Sequence, residues 1–257
     1  MGILKRWLRR KLQSAGYFVF KLRTPGVYAQ DGLFTFNNSH FVRDPAFQAA
    51  YRRGVQASRG VDPKMEWRVH VALWAARRAL QVPGDFVECG VNAGFVSSAI
   101  MQHLAWQGVD KTFYLIDTFR GPVLSQYSED EVRRDQRKVA EAALARQSYV
   151  TDLDRVRANF AEWPNVRIVQ GAVPDVLATL APGPVAFLHL DMNCAAPERA
   201  AFEYFWEKLS PGGLVLLDDY AMHTYDPLAE AIDEAAQSRG AEVLSLPTGQ
   251  GIVWKTG

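Results

Sequence analysis

Short apolar runs alternate with amphipathic stretches along most of the chain after residue 85. Five of these runs are continuously apolar, as parallel strands covered on both faces are. They are FVECG (86–90), FYLID (113–117), VRIVQ (166–170), VAFLHLD (185–191) and LVLLDD (214–219). Helical patterns lie between them, near 95–107, 129–147, 152–161, 197–209 and 227–239. The alternation predicts an α/β fold with a doubly wound, mostly parallel sheet.

The two ends of the chain extend this pattern. EVLSL (242–246) and GIVWK (251–255) are separated only by turn residues, so they predict a hairpin and a seven-stranded sheet whose last strand is antiparallel. Before the first strand, a helix is predicted from Asp62-Pro63 to Pro83-Gly84. We therefore predict an N-terminal helical arm and loop-rich cover in residues 1–62, with a helix near 46–53, and a main domain in residues 63–257.

Composition excludes several classes of protein. With 257 residues, 48% of them hydrophobic, the chain is long enough for one large folded domain. Its formal net charge of +1 argues against bulk electrostatic binding of nucleic acid. Cys89 and Cys194 are the only cysteines, and neither belongs to a CxxC or Cys/His cluster. Because no apolar run reaches the length of a membrane span and no signal peptide is evident, we predict a reducing, cytoplasmic location.

The first residues, MGILKRWLRRKL, form a local excess of positive charge. Their apolar residues fall at helical spacing among five lysines and arginines, which predicts a basic amphipathic helix. Such a helix either docks on the protein or on a partner subunit, or lies on an anionic membrane surface through residues 1–20. The exposed apolar side also favours a homo-oligomer.

Three carboxylates follow two of the predicted strands. Asp191 ends one apolar run, and Asp218 and Asp219 end the next. Because the carboxyl ends of parallel strands meet at one edge of a sheet, these like charges are expected to lie close together. Their oxygen atoms suit a divalent cation such as Mg²⁺, Mn²⁺ or Ca²⁺. The alternative is that one aspartate caps the following helix and the others are solvated in a loop.

A second set of strand ends suggests a nucleoside site. The first strand ends in ECGVNAG, where Gly90 permits a tight turn and Gly94 permits close approach of the backbone to a ligand. Asp117 ends the next strand, in position to accept hydrogen bonds from ribose hydroxyls, and 171–172 supply small residues beneath an adenine ring. A dinucleotide site would contain a third glycine, and Glu88 beside the turn would repel a pyrophosphate but attract an ammonium group. S-adenosylmethionine therefore fits this arrangement better than NAD(P) does.

The chain resembles the macrocin O-methyltransferase-like family from roughly Trp67 to Trp254. The motifs that carry this resemblance are VPGDFVECGVNAGF, FYLIDTFRG, VRIVQGAVPDVL, HLDMN and LSPGGLVLLDDY. The resemblance implies a class I methyltransferase that uses S-adenosylmethionine and Mg²⁺ (or Mn²⁺) to methylate a hydroxyl of a sugar, sugar nucleotide, glycosylated natural product or polysaccharide precursor. It implies a cofactor site formed by Glu88, Gly90, Gly94, Asp117, Thr118, Gly171, Ala172 and Asp191. It implies a metal site formed by Asp191, Asp218 and Asp219.

The base that removes the acceptor proton is not set by these motifs. The carboxylates are also similar to those of catechol O-methyltransferases, where a lysine shortly after the first metal aspartate is the base. This chain has MNC at 192–194 instead, which favours a sugar acceptor over a catechol-like phenol. Asp191 is the first candidate for the base and His223 the second, unless His223 is a surface loop residue. His189 lies within a predicted strand and is expected to pack in the core.

Residues 119–165 separate the second and third strands by more than a simple connection requires. We expect this insertion to form a lid over the site, with Tyr127, Tyr149 or Arg120 facing the acceptor. The alternative is an ordinary pair of helices with a solvated charged face.

Two other functions remain open at this stage. One is an NAD(P)-binding Rossmann oxidoreductase, against which the missing third glycine and the clustered carboxylates argue. The other is a non-catalytic binding module that keeps the fold, against which the intact Asp191, Asp218 and Asp219 argue.

Overall fold

The computed structural model describes residues 3–16 and 27–256, which belong to two compact units that divide between His40 and Phe41. The smaller unit contains helix α1 (Ile3–Ser14) and a hairpin of strands β1 (Tyr28–Gln30) and β2 (Leu33–Thr35), which the sequence pattern did not predict. Asp31 and Gly32 both have positive φ, as a two-residue hairpin turn requires. Within the described ranges, no helix is both long enough and apolar enough to cross a bilayer.

The larger unit contains a seven-stranded sheet in the order β5-β4-β3-β6-β7-β9-β8. Its strands are β3 (Asp85–Cys89), β4 (Phe113–Asp117), β5 (Val166–Gln170), β6 (Val185–Leu190), β7 (Leu209–Leu217), β8 (Leu244–Ser245) and β9 (Gly251–Trp254). The first five pair in parallel, and β9 is antiparallel to both of its neighbours. The predicted seven-stranded, mostly parallel sheet with an antiparallel last strand is therefore confirmed, although β8 is shorter than the predicted run 242–246.

Helices cover both faces of this sheet. They are α2 (Pro45–Ala57), α3 (Glu66–Ala79), α4 (Phe95–Leu104), α5 (Glu129–Arg133), α6 (Gln136–Ala145), α7 (Leu153–Phe160), α8 (Ala195–Trp206) and α9 (Asp226–Gln237). Side chains of the strands alternate between two apolar layers, so that Phe86 and Phe187 pack on one face while Val87 and Leu188 pack on the other. The first layer includes residues of α2, α3 and α4, and the second includes residues of α8 and α9. This arrangement explains why the central strands are continuously apolar.

The predicted helix 129–147 is wrong as a single element. It is interrupted at Asp135, whose φ of 62° lies in the left-handed region, so α5 and α6 are separate helices. Ser128 and Glu131 form a capping box at the start of α5, in which each side chain bonds the other residue's backbone N–H. The side chain of Glu131, on this short capped helix, is buried in the interior of the protein.

The boundary between the two units also differs from the predicted division at residue 62. Helix α2 extends beyond the predicted 46–53 and buries Phe47, Ala50 and Tyr51. Its Gly54 approaches α4 so closely that an added β-carbon would lie 2.8 Å from the ring of Phe95. Because α2 packs on α4 in this way, residues 41–62 form part of the larger unit and not of a loop-rich cover.

Candidate active site

The carboxyl ends of β3, β4, β5 and β6 meet at one edge of the sheet, and a cavity lies there. Of the residues predicted for the site, six line the cavity, namely Gly90, Asp117, Thr118, Gly171, Ala172 and Asp191. Glu88, Gly94, Asp218, Asp219 and His223 lie outside its lining. The cavity therefore joins the predicted nucleoside residues to one of the three predicted metal carboxylates, as expected for ligands at the carboxyl edge of a parallel sheet.

The turn after β3 brings the two sides of the site into contact. Gly90 has a φ of +90°, and an added β-carbon would lie 1.8 Å from the carbonyl oxygen of Asp191. Next to this contact, the backbone N–H of Asp191 donates a hydrogen bond to the carbonyl of Cys89 at 2.9 Å. Glycine is therefore required at position 90 both by the backbone angle and by the neighbouring strand end. Gly94, at φ +81°, begins α4 beneath the ring of Phe160.

Asp117 has a structural role that the sequence did not reveal. One carboxylate oxygen accepts hydrogen bonds from the backbone N–H groups of Val91 and Asn92, each at 2.8 Å. The other accepts from the N–H of Phe119 at 2.6 Å. Asp117 thus holds the loop after β3 in place, and it lines the cavity where ribose hydroxyls were predicted to bind.

Gly171 and Ala172 form the third wall of the cavity after β5. The N–H of Gly171 donates to the carbonyl of Asp117 at 2.9 Å, which places this turn beside the end of β4. An added β-carbon on Gly171 would lie 2.6 Å from Val176, so a larger side chain does not fit there. Thr118 donates from its hydroxyl to the carbonyl of Gly121 at 2.6 Å and begins the segment that covers the cavity.

The three predicted metal carboxylates come together at the ends of β6 and β7. Oxygen atoms of Asp191, Asp218 and Asp219 all lie within 4.8 Å of one another. Asp218 and Asp219 are buried, and Asp191 is partly exposed. Burial and the neighbouring charges of Asp218 and Asp219 raise the pKa of Asp191 well above its usual range. A set of three close carboxylates fits a hard divalent cation such as Mg²⁺ or Mn²⁺.

Two side chains that the sequence did not single out contact this cluster. Arg68, on α3, donates to Asp218 at 2.7 Å and lies 3.7 Å from Asp219. Gln250, just before β9, donates to the other oxygen of Asp218 at 3.0 Å. Burial acts to raise the pKa of Asp218, but the guanidinium of Arg68 and the ring of His189 outweigh it and hold this pKa well below its usual range.

His189 is buried as predicted, but it is more than a packing residue. Its Nδ1 lies 2.9 Å from Glu88 Oε1, and its Nε2 lies 3.8 Å from Asp218 Oδ1. Burial would lower the pKa of His189, but these two carboxylates raise it well above the usual value. The ring of His189 therefore lies between Glu88 and the metal cluster, where the two carboxylates favour its protonated form. The second oxygen of Glu88 is buried and has no hydrogen-bond partner among the described residues.

The loop after β6 is held by a buried glutamate of α8. Glu198 accepts hydrogen bonds from the backbone N–H groups of Met192 and Asn193, at 2.9 and 3.0 Å. Asn193 in turn donates from its side chain to Asp191 at 3.0 Å, and the hydroxyl of Tyr225 lies 3.2 Å from its side-chain oxygen. Burial, together with the charge of Asp219, raises the pKa of Glu198 to about 8. These contacts orient Asp191 towards the cavity.

The insertion between β4 and β5 covers the cavity. Tyr127 and Tyr149 line it, as predicted, whereas Arg120 is exposed and lies outside its lining. Glu131 of α5 is fully buried and accepts a hydrogen bond from the backbone N–H of Ala195 at 2.9 Å. This contact ties the insertion to the start of α8, next to the loop that carries Asp191.

His223 lies apart from these groups. It is exposed and lines a separate depression on the surface together with Arg134, Tyr220 and Asp226. This is the surface position that the sequence left open as the alternative for His223.

Comparison with known proteins places this site in a family. The model of the macrocin O-methyltransferase family, Macrocin-O-methyltransferase (TylF), matches residues 69–248, which contain all the strand ends described above. The chain belongs to the macrocin O-methyltransferase family. The family resemblance drawn from the motifs is thus confirmed.

The chain is also similar to two O-methyltransferases from Streptomyces. Over 182 residues the chain is 30% identical to demethyldecarbamoylnovobiocin O-methyltransferase of Streptomyces niveus. Over 180 residues it is 29% identical to 8-demethyl-8-(2,3-dimethoxy-alpha-L-rhamnosyl)-tetracenomycin-C 4'-O-methyltransferase of Streptomyces olivaceus. Each alignment covers 68% of this chain and 66% of the relative, so the chain spans slightly less than two thirds of the length of either protein.

Two solved methyltransferase structures share the fold. The O-methyltransferase NovP superimposes with a TM-score of 0.64 and 23% identity, over 86% of this chain and 100% of that one. The calicheamicin methyltransferase CalS11 superimposes with a TM-score of 0.55 and 17% identity, over 82% and 93%. The seven-stranded sheet with its helices is therefore the class I O-methyltransferase fold.

Proposed function

We propose that this chain is an S-adenosylmethionine-dependent, divalent-metal-assisted O-methyltransferase that acts on a hydroxyl of a sugar, a glycosylated natural product or a polysaccharide precursor. The observation that carries the proposal is a single cavity lined by the glycine turn of β3, by Asp117 and by Asp191. The proposed nucleoside site and the proposed metal site thus meet at Asp191 in one cavity. The names of the curated relatives, which include a methyltransferase of a rhamnosyl compound, support a sugar hydroxyl as the acceptor.

We assign the cofactor to the side of the cavity formed by β3, β4 and β5. Asp117 would accept the ribose hydroxyls, and Gly171 and Ala172 would lie against the adenine ring. The unpartnered, buried oxygen of Glu88 suits the ammonium group of the methionine part, since an uncompensated buried carboxylate oxygen is costly unless a donor reaches it. Gly90, which lines the cavity, would lie against the amino-acid part of the cofactor.

We assign the metal to Asp191, Asp218 and Asp219. When bound there, a divalent cation would lower the pKa of a coordinated sugar hydroxyl. Asp191 is the proposed base, since it lines the cavity, whereas His223 lies outside it. The hydroxyl oxygen would form a bond to the methyl carbon as the carbon–sulfur bond breaks. Asp191 would take the hydroxyl proton, and the sulfonium would leave as the neutral thioether of S-adenosylhomocysteine.

The residues above the cavity agree better with a sugar than with a catechol acceptor. Among the described residues, no lysine lines the cavity, so a lysine-base mechanism has no support in this chain. Tyr127 and Tyr149 instead offer aromatic faces and hydroxyl groups, which suit the apolar faces and polar edges of a sugar ring.

Calorimetric titration tests the proposal directly. S-adenosylmethionine and S-adenosylhomocysteine are titrated into the protein with Mg²⁺ and with EDTA, and NAD(P) serves as the control ligand. Binding of the sulfonium cofactor without binding of the dinucleotide is expected, and a panel of deoxysugar glycosides and catechols in Mg²⁺ then defines the acceptor. Binding of NAD(P) alone would overturn the proposal, and binding of neither would favour a non-catalytic module.

We further propose that α1 contacts an anionic membrane surface. The helix contains Lys5, Arg6, Arg9, Arg10 and Lys11 and no acidic residue. Trp7 and Leu8 are 56% and 51% exposed despite being apolar. A helix with a cationic face and an exposed tryptophan beside a leucine is typical of segments that lie in the interface plane of a bilayer. Self-association and a cytoplasmic location remain predictions.

Vesicle flotation tests this contact. The protein is expected to float with phosphatidylglycerol vesicles and not with phosphatidylcholine vesicles, and added salt should release it. The double variant Trp7→Ser/Leu8→Ser should lose this binding, whereas Val139→Ser, which removes an equally exposed apolar residue of α6, should retain it. Equal flotation of all three proteins would exclude α1 as the contact.

A further inference from the structure

Arg68 places a permanent positive charge within the proposed metal cluster. Its Nη1 lies 2.7 Å from Asp218 Oδ2 and 3.7 Å from Asp219 Oδ1. The side chain of Arg68 is 16% exposed, and those of the two aspartates are 7% exposed. Since water has little access to these groups, their charges are screened far less than those of a surface ion pair.

Gln250 connects Asp218 to the backbone of Arg68. Gln250 donates to Asp218 Oδ1 at 3.0 Å, and its side-chain nitrogen lies 3.4 Å from the backbone carbonyl of Arg68. Asp218 therefore has one oxygen bonded by the arginine and the other by the glutamine. This arrangement organises Asp218 in the metal-free protein and joins the start of α3 to the end of β7.

The same charge acts in opposite directions on folding and on metal binding. In the metal-free protein, the guanidinium relieves the repulsion between Asp218 and Asp219. When a divalent cation approaches the three carboxylates, however, it meets a like charge that is already in contact with two of them. The repulsion between the guanidinium and the cation acts at short distance and with little screening. It therefore makes the free energy of cation binding to the carboxylates less favourable.

We propose that Arg68 is a built-in counter-ion of Asp218 and Asp219, which stabilises the metal-free protein and weakens the binding of the divalent cation. This inference rests on the metal-assisted function proposed above. Arg68 would keep the three carboxylates in place without the ion. It would also set the affinity of the site, so that the bound ion dissociates readily.

The variant Arg68→Gln tests both effects, with Mn²⁺ as the probe and electron paramagnetic resonance as the measure of free Mn²⁺. We expect Arg68→Gln to bind Mn²⁺ about tenfold more tightly than the unchanged protein, because the repulsive charge is gone. Without metal its thermal midpoint should fall by several degrees, and excess Mn²⁺ should restore it. Arg68→Lys, which keeps the charge, should bind Mn²⁺ as the unchanged protein does.

Arg53 offers a matched control. Its side chain is 13% exposed and bonds Glu162 at 3.0 Å, but it lies between α2 and α7 and touches none of the three aspartates. Arg53→Gln should lose thermal stability without any change in Mn²⁺ affinity or any rescue of stability by Mn²⁺. A purely structural role of Arg68 would give this same result for Arg68→Gln.

The possible outcomes separate the two proposals. Equal or weaker Mn²⁺ binding by Arg68→Gln would overturn the role of Arg68 while leaving the metal site in place. Absence of Mn²⁺ binding by both proteins would overturn the metal site itself. If Arg68→Gln and the apolar variant Arg68→Met both fail to fold even in excess Mn²⁺, the inference is also overturned, because the ion should replace the missing charge.

Discussion

The two sides of the cavity are built on different physical principles. On the cofactor side, polar groups are satisfied by the backbone of neighbouring turns, as Asp117 shows with its bonds to the N–H groups of Val91, Asn92 and Phe119. On the metal side, three carboxylates face one another, and their compensation comes from the side chains of Arg68 and His189. On the first side, the hydrogen bonds of Asp117 close within the loops, and the buried second oxygen of Glu88 has no hydrogen-bond partner among the described residues. On the second side, like charges remain close together, and a divalent cation is the proposed compensation.

The two sides are nevertheless joined at two points. The turn at Gly90 lies against the backbone of Asp191, and the ring of His189 lies between Glu88 and Asp218. A substitution on one side should therefore affect the other side only if it disturbs one of these two contacts. Four substitutions test this difference.

The largest effect is expected from Asp191→Asn, which removes the proposed base and one metal ligand. Turnover should fall about 1,000-fold, while the dissociation constant of S-adenosylmethionine should stay nearly unchanged, because the cofactor side is held by backbone bonds. Steady-state kinetics and calorimetry give the two values. Asp154→Asn, on the exposed surface of α7, is the control and should leave both unchanged. Undiminished turnover by Asp191→Asn would contradict the assignment of the base.

Gly90→Ala should damage both sides at once. A β-carbon at this position would lie 1.8 Å from the carbonyl oxygen of Asp191, so the ends of β3 and β6 must separate. We expect a loss of about 3 kcal/mol in the free energy of unfolding, together with loss of cofactor binding. Chemical denaturation measures the first effect. Gly183→Ala, where an added β-carbon meets nothing within 4 Å, should be nearly neutral, and equal stabilities of the two variants would disprove the close contact.

Asp117→Asn should weaken the cofactor side alone. The amide keeps one acceptor but places an NH₂ group against backbone donors, which should cost about 1–2 kcal/mol of stability and weaken S-adenosylmethionine binding about tenfold. Mn²⁺ affinity should not change. Asp85→Asn is the matched control, because Asp85 accepts from the N–H of Thr112 at 2.8 Å at the opposite end of the sheet. That variant should lose stability and retain cofactor affinity; a similar loss of cofactor affinity in both would remove Asp117 from the site.

Glu198→Gln is expected to have the smallest effect on turnover and ligand binding, together with a clear dependence of stability on pH. The pKa of Glu198 rises from 4.5 to about 8 in the folded protein, so the folded state keeps a proton that the unfolded state releases between these values. Stability of the unchanged protein should therefore fall as the pH rises through this window. Glutamine cannot ionise and keeps the acceptor for Met192 and Asn193. It should be stabilising by up to about 5 kcal/mol above pH 8 and neutral below pH 4.5.

Thermal unfolding across this pH range measures the difference. Glu203→Gln, which changes a partly exposed glutamate of the same helix, should show no such dependence. A constant difference between Glu198→Gln and the unchanged protein at all pH values would mean that the pKa of Glu198 is the same in the folded and unfolded states.

Much of the fold was predictable, because the features that produce it are local in the chain. Buried parallel strands must be apolar on both faces, and this shows directly in runs such as FYLID and VAFLHLD. The break between α5 and α6 was missed, because Asp135 in the left-handed region interrupts a stretch whose helical pattern continues on both sides. The hairpin of β1 and β2 was missed because each strand has only three residues, too few for a pattern.

The sequence by itself determined the glycine turn at Gly90 and the acidic strand ends at Asp117, Asp191 and Asp218. These positions are recognisable because a strand end and its turn are consecutive in the chain. Only the tertiary structure decided that Arg68 and Gln250 compensate Asp218 and that His189 connects it to Glu88. Arg68 is 150 positions from Asp218, and Glu88 is 101 positions from His189. No local pattern marks these partners, since their contact with the carboxylates depends on how α3 and the strands pack.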